Sequence, residues 1–361
     1  MSEKSLRSGP PDVKDDKFFQ LMTNRSIRQA AQEGRLLCIN FEITSRCAGS
    51  CNYCYSSSND FNHVTMAKET VFDVIDQVWD LGVRHITWVG GDPLLHPDFF
   101  EIIEYSGSKG IHNFLVTSGL VTQKMAQKIA EQYRRKHLHM VSVHLDTINP
   151  EVYARIYNNP KGLSQKIQGF RNMAEAGFPP ELTALIICLT SESVKTIEET
   201  LDWFFEELRT RPYWVDMLPF KPEGYGDQHR NLEPSLSDIR RAFEYRAKKV
   251  GAHWLQAGVM DSTRYFCQTY FYLTYDGLML PCAFFRDRPL GNIYEKRIAN
   301  IVEHHKNELL FHFPVKGKCG ECENNDVCWG CRANAYRYLG DPQAADPKCW
   351  MNPEAKERYF G

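Results

Sequence analysis

The sequence predicts an α/β chain: six strands in parallel order, forming an open sheet or incomplete barrel, then a cysteine-rich C-terminal region. Three observations predict it. Apolar strand-like runs alternate with amphipathic helical runs from Leu37 to Phe220. That alternation stops near Pro222, and seven of the 12 cysteines lie beyond residue 266. Strands separated by helices pack as a parallel sheet. The 361 residues, 43% hydrophobic and 24% charged, suit a globular chain with a sizeable core. With 43 Lys and Arg against 45 Asp and Glu, the net charge of -2 offers no basic field for nucleic acid. No apolar run is long enough to span a membrane, and the polar stretch Met1 to Asp16 has no signal-peptide core. The expected location is cytoplasmic.

The strands are expected at Leu37 to Thr44, His85 to Gly90, Asn113 to Thr117, His139 to Leu145, Leu182 to Leu189 and Trp214 to Phe220. Helices are expected at Ala67 to Leu81, Asp98 to Lys109, Gln123 to Arg135, Pro150 to Asn158, Leu163 to Ala176 and Val194 to Leu208. The first of these carries Val71, Val74, Ile75, Val78 and Trp79 at helical spacing. One short helix, Lys17 to Glu33, precedes the strands. After a polar loop at Glu223 to Asn231 come a helix at Ser235 to Lys249 and a hairpin at Tyr270 to Pro281, turning at Asp276-Gly277. The rest reads as short strands, turns and cysteines. The division is therefore residues 1–36, a polar, partly helical segment; 37–222, the strand–helix unit; 223–262, a linker and bridging helix; and 263–361, the cysteine-rich domain.

A cytosolic chain of this size does not need disulfides for its core, so clustered cysteines point to metal or redox chemistry. The first cluster is Cys47-x3-Cys51-x2-Cys54, directly after the first strand. Ligand sites in open sheets and barrels lie beyond the carboxyl ends of the strands. Three thiolates on one loop can hold three irons of a cubane and leave the fourth open. Zinc is the alternative, but it wants four ligands and only His63 is near. Cys319-x2-Cys322-x5-Cys328-x2-Cys331 has the spacing of a zinc knuckle, which would leave Cys267, Cys282 and Cys349 without a role. Seven cysteines suit two iron–sulfur clusters better. Cys38 and Cys188 lie inside apolar strands and read as core.

The Cys47–Cys54 loop, with Tyr53 in the aromatic position before the last cysteine, resembles the signature of the radical S-adenosylmethionine (radical SAM) superfamily. Gly90-Gly91-Asp92-Pro93, after the second strand, resembles the family's Gly-Gly-Glu-Pro motif, with aspartate where glutamate is usual. The C-terminal cysteines resemble the SPASM extension of these enzymes, with one residue fewer between Cys328 and Cys331. The resemblance implies a partial (β/α)6 TIM-like barrel with a C-terminal iron–sulfur domain. Cys47, Cys51 and Cys54 would hold a [4Fe-4S] cluster that chelates SAM. Its reductive cleavage gives a 5′-deoxyadenosyl radical that takes a hydrogen atom from substrate. Tyr53, Gly90, Gly91, Asp92, Ser118, His144, Asp146 and Arg155 are the implied SAM-side residues, although Ser118 stands where Asn is usual and His144 where Ser is common. The family's ligation implies an outer auxiliary cluster on Cys319, Cys322, Cys328 and Cys349. Cys267, Cys282 and Cys331 would hold an inner one. No cysteine stands at Asp261-Ser262, where fully ligated members have a fourth, so the inner cluster has an open iron or a non-cysteine ligand such as Asp261.

SPASM relatives often modify ribosomal peptides by crosslinking, epimerisation or oxidation, and that is the first expectation for substrate. The short N-terminal segment leaves no room for a leader-binding domain, so a separate leader-binding protein is the expected partner, with an electron donor such as flavodoxin or ferredoxin. The alternative is oxidative decarboxylation of tetrapyrrole propionates, where Arg286, Arg288, Arg332 and Arg337 would meet carboxylates. A third reading is a metal-cluster binding module without catalysis.

Overall fold

A nine-stranded sheet organises the chain, in the order β6-β5-β4-β3-β2-β1-β7-β8-β9. A computed structural model describes residues 14, 16–209, 212–260 and 262–352. The strands are β1 (Cys38–Glu42), β2 (His85–Val89), β3 (His112–Thr117), β4 (Met140–His144), β5 (Thr183–Leu189), β6 (Trp214–Pro219), β7 (Tyr270–Leu273), β8 (Leu278–Leu280) and β9 (Gly291–Asn292). The first six run parallel in sequence order, as expected. The sheet does not close, since β6 and β9 end it.

The hairpin expected at Asp276-Gly277 is β7 and β8, and its first strand does more than pair with the second. It lies parallel to β1, Cys38 opposite Tyr270 and Phe41 opposite Leu273. The cysteine-rich region thus continues the barrel sheet.

The helices are α1 (Lys17–Thr23), α2 (Arg25–Glu33), α3 (Lys68–Asp80), α4 (Phe99–Ser108), α5 (Gln123–Arg134), α6 (Pro150–Ile156), α7 (Gly162–Glu175), α8 (Ile197–Leu208), α9 (Leu236–Val250), α10 (Arg264–Cys267), α11 (Ile298–Leu309), α12 (Gly317–Glu321) and α13 (Arg332–Leu339). The periodic stripe of α3 faces the core, with Val71, Val74, Ile75 and Val78 fully buried. Thr122 caps α5 through Met125 N–H, and Asn149 caps α6 ahead of Pro150 at the first helical position.

Two expectations are corrected. The single helix Lys17 to Glu33 is two helices, because extended Asn24 breaks it and caps the second through Ile27 N–H at 2.9 Å. The region beyond Pro281 is not all short strands and turns: α11 buries Ile298, Ile301 and Leu309 on one stripe, and α13 follows Cys331 directly. No described helix is long and apolar enough to cross a membrane.

Candidate active site

Cys47, Cys51 and Cys54 line one cleft of about 280 Å³ at the carboxyl ends of the strands. Local backbone sets the loop: Ser50 takes a left-handed φ of 57°, Cys47 N–H donates to Asn59 O at 3.1 Å, and Gly49 N–H donates to Cys47 Sγ at 3.3 Å. Burial, then the charge of Asp92, pushes the Cys47 thiol up to about 12; burial raises Cys51 well above its ordinary value. Among the described residues, no three His, Cys, Asp or Glu side chains converge on a single metal ion. Three half-buried cysteines that line one cleft fit a polynuclear cluster, in which each thiolate binds its own iron.

The glycine pair is where this loop meets the end of β2. Gly90 has φ 117°, and a Cβ there would lie 2.8 Å from Thr44 O. At Gly91 a Cβ would lie 2.1 Å from Arg46 O. Gly91 and Asp92 N–H donate to Thr44 O and Arg46 O at 2.9 and 2.7 Å, tying the two segments together. The Asp92 carboxylate turns away from the cleft. Its Oδ2 accepts from Thr117 Oγ1, Ser118 N and Ser118 Oγ at 2.9, 3.0 and 2.6 Å, and its Oδ1 from Leu94 N at 3.1 Å. The short carboxylate thereby braces the wall that Gly90, Gly91 and Ser118 present.

His144 and Asp146 form a buried polar knot behind the cysteines. His144 Nδ1 is 3.9 Å from Cys51 Sγ, and its Nε2 is 3.0 Å from Asp146 Oδ1 and 3.2 Å from the Tyr53 hydroxyl. Asp146 also accepts from Tyr53, from Tyr157 at 2.7 Å and from Cys188 N–H at 2.7 Å. Burial pushes the Asp146 carboxyl up to about 6 and holds His144 neutral, well below its usual value. Lys166 is fully buried over the Tyr157 ring and donates to His144 O at 2.8 Å. Tyr53 and His144 reach the cleft; Asp146 stays behind them.

Arg155 does not line the cleft. It is half exposed and pairs with Glu192 at 2.5 Å on the surface. Cys188, read as core, lines the cleft, whereas Cys38 is buried as expected. The sequence reasoning missed Lys221 and Tyr55, which line the cleft with Tyr270, Tyr272 and Phe284 as an aromatic wall. Lys221 is 5% exposed, with Nζ 4.6 Å above the Phe284 ring. Its position two residues after the sixth strand was the available signal. Arg286 does not face the cleft: it pairs with buried Glu42, which also accepts from Tyr272, itself bonded to Tyr55 at 2.9 Å.

Four of the seven C-terminal cysteines share one small cavity. Cys319, Cys322, Cys328 and Cys349 line a small cavity with Gly258, Trp329 and Gly330. Its glycines leave room for sulfur: a Cβ at Gly330 would lie 2.7 Å from Cys319 Sγ. Gly330 and Asp346 N–H donate to Cys328 and Cys319 Sγ, each at 3.3 Å. Cys267, Cys282 and Cys331 pack, together with Cys328, against Met260, Phe285 and Phe311. Cys282 also reaches the main cleft. Asp261, the suggested non-cysteine ligand, lies outside the described residues.

An open α/β sheet carrying three cysteines on its first loop and seven more in its C-terminal region fits an iron–sulfur protein. Residues 41–204 match the model of the Radical SAM superfamily, and residues 266–332 match the SPASM model, described as an iron–sulfur cluster-binding domain. The chain belongs to the radical SAM superfamily and carries a SPASM domain; it is an enzyme that uses SAM, a [4Fe-4S] cluster and auxiliary iron–sulfur clusters. It is 27% identical over 358 residues to the AdoMet-dependent heme synthase of Methanosarcina barkeri, covering 88% of this chain and 97% of that one. It is 29% identical over 256 residues to a probable GTP 3′,8-cyclase of Methanococcus maripaludis, covering 66% and 82%. Among solved structures, anSMEcpe with bound AdoMet and Cp18Cys peptide matches with a TM-score of 0.67 at 19% identity, covering 90% of this chain and 96% of that one. Streptococcus suis SuiB bound to precursor peptide SuiA gives 0.65 at 18%, covering 90% and 79%.

Proposed function

We propose that this enzyme oxidatively decarboxylates a propionate side chain of a tetrapyrrole, the reading placed second on sequence alone. The observation that carries it is the cleft itself: an aromatic wall of Tyr55, Tyr270, Tyr272 and Phe284 with one lysine, Lys221, set into it. Such a wall suits a flat ring, and a buried ammonium suits a carboxylate. Near full-length similarity to the heme synthase of M. barkeri supports the same substrate class. The likeness to SuiB and anSMEcpe supports the fold alone.

When bound, the cofactors supply a hydrogen-abstracting 5′-deoxyadenosyl radical and an electron acceptor. Cys47, Cys51 and Cys54 hold the first cluster. Gly90, Gly91 and Ser118 shape the SAM wall, Asp92 fixes that wall from behind, and the His144–Asp146–Tyr53 knot holds Cys51 in place. Lys221 pairs with the propionate, and the aromatic wall keeps water from the reacting carbon. Cys282 brings the inner auxiliary set to the same cleft. The side chain loses one hydrogen atom, one electron and carbon dioxide, leaving a vinyl group.

The test is anaerobic turnover of reconstituted enzyme with SAM, dithionite and candidate porphyrins, followed by mass spectrometry. The expected product lacks carbon dioxide and two hydrogen atoms per converted side chain. Deuterium at the propionate β-carbon is expected in 5′-deoxyadenosine. A screen in which porphyrins stay intact while a peptide loses hydrogen would overturn this assignment in favour of peptide maturation.

A further inference from the structure

Trp329 sits between the two auxiliary cysteine sets. It follows Cys328 and lines the cavity of Cys319, Cys322, Cys328 and Cys349. The same ring belongs to the apolar cluster that packs Cys267, Cys282 and Cys331 as well as Cys328. Its side chain is 1% exposed, yet its Nε1–H is buried with no hydrogen-bond partner. Buried indole N–H groups ordinarily find an acceptor, and leaving one unpaired costs about 1–3 kcal/mol. Nothing in the packing relieves that cost, since the neighbours Phe311 and Phe313 offer only ring contacts. The Arg264 and Arg332 guanidiniums stand 5.4 and 5.7 Å from the indole centre and are donors themselves.

We infer that Trp329 Nε1–H donates to a sulfur of the outer auxiliary cluster, joining the Gly330 and Asp346 N–H groups already directed at its cysteines. A donor to cluster sulfur favours the more negative, reduced state and raises the potential. Two guanidiniums beside the ring act in the same direction. Trp329 is thus a positioning residue that biases the outer cluster toward accepting electrons. The inference rests on the presence of the auxiliary clusters, not on the substrate assignment.

The experiment uses the full chain carrying Cys47→Ala, Cys51→Ala and Cys54→Ala, so that only auxiliary clusters contribute, and no substrate is added. In an EPR-monitored redox titration, Trp329→Phe is expected to retain both auxiliary signals while one midpoint potential falls and the other holds. Two unchanged midpoints with iron retained would overturn the inference. Should Trp329→Phe fail to load iron, pulsed EPR of the Trp329-containing chain, with indole-¹⁵N tryptophan and Trp350→Phe, reads the contact directly. Nitrogen coupling to a reduced cluster is expected, and its absence overturns the inference.

Discussion

The single residues that shape the site act mostly through what they exclude. Gly91 has no room for a methyl, since a Cβ would sit 2.1 Å from Arg46 O. Gly91→Ala is expected to destabilise the cysteine loop by more than about 2 kcal/mol. The check is iron content and charge-transfer absorbance, which fall while the SPASM iron remains. Asp92→Ala strands the Ser118 and Thr117 donors and is expected to cost roughly 2–4 kcal/mol, with weaker SAM binding by calorimetry. Asp92→Asn keeps one acceptor oxygen and loses less. Lys221→Met is expected to raise KM for a carboxylate substrate about ten- to hundredfold, while 5′-deoxyadenosine still forms without substrate. The cysteines and glycines were legible in the sequence because their chemistry is tied to spacing. Lys221 and Tyr55 were not, since a lysine or tyrosine beside a strand takes its role only from what faces it across the sheet. Arg155 lies outside the cleft lining, where Glu192, 37 residues away, pairs with it.

Among elements, all six barrel strands and the helices between them could be read from periodicity, because each buries one stripe or both faces. The helices past Pro281 could not, because cysteine spacing dominates that region and α12 is only five residues long. The amino ends of β2, β3 and β4 carry a feature that periodicity never signals. His85 and His112 rings lie 5.0 Å apart, and His112 and His139 rings 4.4 Å apart. Burial, then the charge of His112, lowers both His85 and His139 to about 4. The unfolded chain protonates these groups near 6.5 but the native sheet resists to about 4. Their contribution is therefore complete above the unfolded value and lost as pH falls through the folded one. His85→Phe is expected to flatten the decline of melting temperature across that window; an unaltered slope would show that the ladder carries none of it.

For the whole molecule, the two cofactor systems are expected to load independently. Cys319→Ala should remove outer-cluster iron and leave SAM cleavage measurable, whereas Cys51→Ala should abolish 5′-deoxyadenosine and leave the auxiliary signals in the EPR spectrum. Independent loading does not mean independent folding. Since β7 is hydrogen-bonded along β1, removing residues 263–361 would bare the peptide edge of the strand that leads into the cysteine loop. Unpaired edges of this kind recruit other chains. The barrel cut away from its C-terminal region is therefore an aggregation-prone fragment, and insertions or deletions between the two parts must preserve the register of Cys38 with Tyr270 to remain soluble.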